Sequence, residues 1–266
     1  MSKKLLIDGD GILYRAGFAV EKTKYLCQRG DKYQPFDDIK AARASGAGEI
    51  VWTRKEVEDE DKALMLASVI LRDMKDRYAD YDPVIFLSPS VGNYRDAIAT
   101  RAKYKGNRDG QGRPAHYNSI RQHIIDKHAA EVTVGQEADD ALGIEMTDNP
   151  GSVVVSFDKD LLQVPGLHYN WVSKEEQQIT VRAGALNFWT LVLSGDAVDN
   201  VPGVPGIGPV KAKKLLAPAK SNAEAWKVVV DTYTNKFKQN GRAYALETAR
   251  LVWVRRKPNE MWEPPC

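Results

Sequence analysis

Asp8, Glu137, Asp139, Asp140, Asp158, Asp160, Asp196 and Asp199 stand where a carboxylate is costly unless something compensates it. Asp8 closes the apolar run LLI, Asp158 and Asp160 follow SVVVSF, three acids share EADDALGIEM, and two share GDAVDN. An uncompensated charge beside buried chain is strongly disfavoured. Several acids gathered in one place need cations between them. Mg2+ takes oxygen ligands and keeps part of its water shell, and two such ions can serve the attacking water and the leaving oxygen of a phosphodiester. Spacing supports part of this. Asp158 and Asp160 share a face if strand geometry continues. Asp196 and Asp199 are neighbours on a helical turn, and Glu137 and Asp140 share a helix face. Glu137 and Asp139 do not, so one of them must come from the turn before the helix or point elsewhere. Asp10 reads as a solvent-facing acid after the first strand. Singly, each of these acids could be an ordinary turn or cap residue; the set carries the reading.

Two cationic stretches suit a polyanion. NYRDAIATRAKYKGNRDGQGRP, residues 93–114, sets Arg95, Arg101, Lys103, Lys105, Arg108 and Arg113 against Asp96 and Asp109. Its cations can neutralise phosphates, and Tyr94 and Tyr104 can stack on unpaired bases. Its glycines suggest a mobile surface stretch. In VPGVPGIGPVKAKKLL, Gly206 and Gly208 allow close backbone approach. Pro209 suits a first helical turn, whose N–H groups can face a phosphate. Lys211, Lys213 and Lys214 add charge nearby. Such a loop grips a backbone without reading sequence.

The elements that must position these groups alternate. KKLLI, PVIFL and SVVVSF read as buried strands, with EVTV and GLHYNWV as weaker ones. Helical patterns cover GILYRAGFAV, residues 62–78, HYNSIRQHIIDKHAA and EADDALGIEM. Residues 21–60 read as an irregular excursion containing a hairpin. Alternating strands and helices predict an α/β fold around an open, mostly parallel, twisted sheet flanked by helices, with its site at the carboxyl ends of the strands. Beyond about residue 190 strand-like runs stop. Helical segments follow at 209–217, 221–239 and 241–255, so a soft boundary falls near Phe188. Residues 1–188 then form one domain and 189–266 a helical region. Trp226, Trp253 and Trp262 read as core packing.

Composition is that of an ordinary globular protein, and the net charge of +2 points to no partner by itself. Cys27 and Cys266 make neither a disulfide framework nor a zinc site; a reducing cytoplasm fits. The N-terminus does not read as a signal peptide, and no apolar run approaches membrane-spanning length.

LLIDGD, YKGNRD, EADD, SFDKDLLQ and GDAVDNVPGVPGIGPVKAKKLL occur in an order that resembles flap endonucleases and 5′→3′ exonucleases. The small bacteriophage members and the 5′-nuclease domain of bacterial DNA polymerase I are the most similar. The resemblance spans about residues 4–217. It implies a PIN-like domain with a basic arch around 93–114, and a helix–three-turn–helix DNA-binding element at about 194–217. It implies two Mg2+ ions, for which Mn2+ can substitute. Asp8, Glu137 and Asp139 would hold the first, and Asp158, Asp160, Asp196 and Asp199 the second, with Asp140 close by. Lys105 and Arg108 would face the phosphate from the arch, with Arg95 near the scissile region and Tyr104 on DNA. Gly203, Gly206 and Gly208 match the backbone-binding turn, which in the family can hold K+. One departure stands out: many relatives carry an aspartate just after the strand PVIFL, where this chain has Ser88 and Ser90.

The resemblance thus implies a monomeric nuclease acting on DNA with 5′ ends, flaps or nicks, and on RNA–DNA hybrids. It would work in replication or DNA degradation, beside replication proteins and in the host cytoplasm if phage-encoded. One alternative is a branched-DNA binding protein weakened by the missing aspartate. The other is an RNA-cleaving PIN-like nuclease, against which the Gly/Pro loop and basic helix argue.

Overall fold

The computed structural model describes residues 3–46, 50–110 and 112–265. In chain order its elements begin with β1 (Lys4–Asp8), α1 (Gly9–Ala19), β2 (Glu21–Arg29), β3 (Lys32–Phe36), α2 (Ile39–Ala44) and β4 (Ile50–Val57). Next come α3 (Glu60–Arg77), β5 (Asp82–Leu87), α4 (Tyr94–Ile98), α5 (Tyr117–His128), β6 (Glu131–Val132), α6 (Ala138–Asp148) and β7 (Val153–Val155). Then follow β8 (Gly166–Asn170), β9 (Glu175–Ile179), α7 (Val181–Ser194), β10 (Gly195–Asp196) and β11 (Val201–Pro202). The helices α8 (Pro209–Leu216), α9 (Asn222–Phe237) and α10 (Gly241–Val252) complete the order. Among the described residues no helix is long and apolar enough to cross a membrane.

The chain groups into two compact units. One holds Met1–Gly11, Met74–Gln111 and Ala130–Cys266; the other holds Ile12–Asp73 and Gly112–Ala129. The first unit is built on a six-stranded sheet in the order β6-β5-β1-β7-β8-β9. Every pairing is parallel except that of the edge strand β9, which runs antiparallel to β8. The mostly parallel sheet is as predicted. Its central strand β1 is wholly apolar from Leu5 to Ile7 because both faces are covered. Leu6, Phe86 and Val154 pack with Ala138, Leu142 and Met146 of α6. A second core joins α7–α10: Phe188, Trp189, Trp226, Val229, Tyr233 and Trp262 are buried in it. The tryptophans thus pack as expected, Trp226 and Trp262 at 5.3 Å between ring centroids.

Several local expectations are corrected. β7 stops at Val155, so Asp158 and Asp160 do not share a strand face; Asp160 instead opens a 3-10 turn, Asp160–Gln163. Asp196 ends β10 and Asp199 lies on the turn of the β10–β11 hairpin, rather than both lying on a helix. In the second unit, the described residues between 21 and 57 are more regular than the sequence suggests. A three-stranded antiparallel sheet in the order β3-β2-β4 forms there, with Arg29 paired to Lys32 across a two-residue turn in which Gly30 has φ +61°. Finally, α7 runs unbroken through Phe188, with the Thr180 hydroxyl accepting from the Ala183 amide at its start.

Candidate active site

The carboxyl ends of the parallel strands deliver the acids. Asp8 ends β1 and is buried; its carboxylate accepts from the amides of Asp10 (3.1 Å) and Gly11 (3.3 Å) and from the Ser156 hydroxyl (2.8 Å). Burial, and then the charges of Asp10 and Asp158, push Asp8 up to about 7 against the pull of those bonds. Asp139, in the first turn of α6, is driven well above the usual carboxylate range by burial and by Asp158, Asp8 and Glu137. Glu137 is the N-cap residue of α6, with extended backbone. That answers the spacing problem: Glu137 comes from before the helix and Asp139 from within it. Asp158 is exposed, and its Oδ1 accepts from the Asp160 amide at 2.9 Å. Burial and the neighbours Asp158 and Asp196 push Asp160 up to about 8. Asp160, Asp196 and Asp199 each offer one oxygen, all within 4.8 Å of one another.

Cations close over this group. The Lys105 ammonium pairs with Glu137 and lies 3.6 Å from Asp199, and the Lys105 amide donates to the Asp199 carbonyl at 2.8 Å. Arg108 meets Asp199 at 2.5 Å. Burial alone would raise Glu137, but Lys105 and Arg95 hold it below its ordinary value. The stretch from Tyr94 to Arg108 is fastened rather than free. Asn107 donates to the carbonyls of Ala197 and Val198, Asn200 donates to that of Lys103, and Arg101 to that of Pro202.

Four expected roles change. Tyr104, read as facing DNA, is 6 % exposed; its hydroxyl stands 2.8 Å from Glu137 and 2.7 Å from Asp199, so its ring has no face for a base. Tyr94 is half-buried, with the Arg95 and Arg255 guanidinium carbons 4.7 and 3.8 Å from its ring centroid. Arg95 is 3 % exposed and holds Asp140, itself fully buried, through two bonds of 2.6 and 2.9 Å. The sequence grouped Asp140 with the metal acids and Arg95 with the phosphate-facing cations; the structure pairs them with each other. Both oxygens of Asp140 accept a further bond, from the amides of Glu137 and Arg255.

Sequence reasoning missed the end of α10 and the segment after it. Arg95 donates to the carbonyls of Leu251 and Trp253, and the Gln163 side chain bridges the Val252 carbonyl and the Val254 amide. Arg255 reaches the Gln136 side chain at 2.9 Å, one residue before Glu137. Leu251, Val252 and Val254 line the same small cavity as Glu137, Asp139, Asp160, Asp196 and Asp199. Gly143 of α6 is needed here, because a Cβ would meet the Arg255 carbonyl oxygen at 2.5 Å.

The Gly/Pro loop joins α7 to α8. A Cβ at Gly203 would collide with the backbone of Ser194 and Gly195, and Gly206 has φ +80°. Gly208 is the N-cap of α8 and Pro209 its first residue. Val201, Val204 and Ile207 anchor the loop in the core, while Lys211, Lys213 and Lys214 are exposed.

No protein-family profile matches the chain. It is 29 % identical to flap endonuclease Xni of Shewanella loihica over 184 residues, which is 59 % of this chain and 70 % of that protein. It is also 29 % identical to the Shewanella pealeana protein of the same name, over 52 % of this chain and 60 % of that one. A 99-residue stretch, 32 % of the chain, is 36 % identical to DNA polymerase I of Rhizobium leguminosarum but spans only 10 % of that enzyme. In fold, the chain is similar to a T5 5′-exonuclease solved with divalent zinc ions bound (TM-score 0.58, 14 % identity, 94 % of this chain and 89 % of that one). It is likewise similar to flap endonuclease-1 from Methanococcus jannaschii (TM-score 0.55, 14 % identity, 97 % and 80 %). On sequence and fold together, the chain is similar to flap endonucleases and 5′→3′ exonucleases.

Proposed function

We propose that this protein is a divalent-metal-dependent 5′ nuclease, hydrolysing phosphodiester bonds at or near the 5′ ends and branches of DNA. One observation carries the reading: acids from separate stretches of chain converge beneath Lys105 and Arg108. Their chemistry fits hard cations, since every donor is a carboxylate oxygen and three of them lie within 4.8 Å. Burial, and then the neighbouring acids, lift Asp8, Asp139 and Asp160 above their ordinary range, which marks charge that the protein alone leaves uncompensated.

Asp8, Glu137 and Asp139 would hold one Mg2+, and Asp158, Asp160, Asp196 and Asp199 a second, with Mn2+ able to replace either. Bound there, such ions supply a more acidic water and a counter-charge for the leaving oxygen. The chain's own residues do the rest. Tyr104 fixes the orientation of Glu137 and Asp199. Lys105 and Arg108 neutralise those acids in the free protein and offer the same charge to phosphate oxygens of a bound strand. The Arg95–Asp140 pair and the segment after α10 hold the floor rigid. Gly203, Gly206, Gly208 and the lysines of α8 take a duplex backbone as a helix–three-turn–helix would, with K+ at the loop. RNA–DNA hybrids, a monomeric state and service beside replication proteins in the cytoplasm belong to the same reading. The relatives' names favour it over a catalytically weakened binder.

The test is cleavage of a 5′-labelled flap duplex with Mg2+, comparing wild type with Asp160→Asn. Metal-dependent cutting that falls at least a hundredfold in the variant is expected. Wild-type protein that binds the flap and never cuts it, with Mg2+ or Mn2+, would sink the proposal.

A further inference from the structure

Arg101 reads from the sequence as one more cation for phosphate, yet its guanidinium is turned inward. Nη1 donates to the Pro202 carbonyl at 2.8 Å and to the Thr248 hydroxyl at 3.0 Å, and Nη2 donates to the Gly203 carbonyl at 3.4 Å. The Thr248 hydroxyl in turn donates to the same Pro202 carbonyl at 3.1 Å. These two carbonyls stand at the entrance of the Gly/Pro loop that leads to α8. One residue further on, the Val204 amide donates to the Leu193 carbonyl at 2.9 Å. The entrance of the loop is therefore tied on one side to α7 and on the other to Arg101 and α10.

Arg101 is itself held from two directions. The Glu247 carboxylate of α10 accepts from the Thr100 amide (2.7 Å), the Thr100 hydroxyl (2.6 Å) and the Arg101 amide (2.9 Å), which fixes where the side chain starts. The rings of Phe237 and Tyr244 have their centroids 5.2 and 4.6 Å from the guanidinium carbon. A planar guanidinium can stack on such rings while its fork bonds two neighbouring carbonyls. A lysine ammonium is a point charge and cannot do both.

We infer that Arg101 is a positioning residue for DNA: it locks the loop over 203–208 in the shape that takes a duplex backbone, without meeting the DNA itself. The assignment rests on the reading above, in which this loop and α8 hold the duplex. The α8 lysines supply charge and Arg101 supplies shape. Salt separates the two contributions, because only a group that neutralises phosphate changes the number of counterions released.

The test compares wild type with Arg101→Met, which keeps an apolar stem against the rings and removes every donor, and Arg101→Lys, which keeps the charge and removes the fork. Binding to a blunt DNA duplex is measured in EDTA over a range of salt, together with hydrogen exchange of the loop amides. Both variants should bind about tenfold more weakly, as for loss of a charge-assisted hydrogen bond, with the slope of log K against log salt unchanged. Exchange at Gly203, Gly206 and Gly208 should quicken about tenfold by the same argument, while the amides of Val229 and Tyr233 in the helical core keep their protection. A slope that falls by about 1 in Arg101→Met but not in Arg101→Lys would make Arg101 a phosphate ligand and overturn the assignment. Loop exchange that is unchanged in both variants, or that quickens equally in loop and core, overturns it as well. If Arg101→Met folds poorly, Arg101→Lys decides alone: wild-type affinity and loop protection in that variant would show that charge suffices and the fork does not matter. If wild type binds no duplex, the nuclease reading falls while the loop exchange still decides the role of Arg101.

Discussion

Residue types announced the chemistry, and residue partners decided how it is distributed. The acids at strand ends were legible because a carboxylate next to an apolar run needs a reason. Pairing was not legible. Arg95 and Asp140 lie 45 positions apart, and nothing in either motif shows that they meet at 2.6 Å with almost no exposure. Asp10 was misjudged for the same reason: its partner is the amide of Ser88, 78 positions away. A buried pair is costly to break, because the surviving charge stays buried. Asp140→Asn is therefore expected to lower the unfolding free energy by about 3 kcal/mol in urea titrations, Arg95 keeping its carbonyl partners but only the more distant carboxylate of Glu137, at 3.4 Å, as counter-charge. Adding Arg95→Met should return part of that loss. Additive losses in the double variant would show that the two side chains do not act as a pair.

At the scale of elements, strands with continuous apolar runs and helices with clear stripes were readable. β1, β5, α5 and α6 fall close to where their patterns put them. The second-unit strands were hidden because β2 and β3 are charged and largely exposed, leaving no apolar alternation to read. α7 was hidden for the opposite reason: VRAGALNFWTLVLS is apolar nearly all round. The helix α8 was legible, and its exposed lysines carry an element-scale prediction. Replacing Lys211, Lys213 or Lys214 singly by alanine should weaken duplex binding to a similar degree for any sequence. Each change should reduce the slope of log K against log salt by about 1. An unaltered slope in all three variants would remove α8 from the DNA-binding surface.

For the whole molecule, 38 basic and 36 acidic side chains nearly cancel, so function lies in where charge is concentrated. The strand order with β1 at the centre could not be read from the sequence, since local patterns give strands without neighbours. Yet that order is what brings Asp8 beside the ends of β5 and β7. Gathering acids has a consequence for stability. Asp8 is pushed up to about 7 and Asp160 up to about 8, whereas an unfolded aspartate titrates near 3.9. Between those values the folded protein holds protons that the unfolded chain has released. Their contribution to stability is therefore full below about 4 and is lost as pH rises through 7 to 8. Divalent cations bind the ionised folded state, so they should restore what deprotonation removes. Saturation at a hundred times the dissociation constant adds about 2.7 kcal/mol. The rise in melting temperature on adding Mg2+ to metal-free protein should thus be several degrees at pH 8.5 and clearly smaller at pH 5.5. His168, whose burial depresses its pKa, destabilises the fold as pH falls below about 6.5, but it does so with or without metal and drops out of the difference. An equal Mg2+-induced rise at both pH values, or none at pH 8.5, would mean that the crowded carboxylates are not where the cation binds.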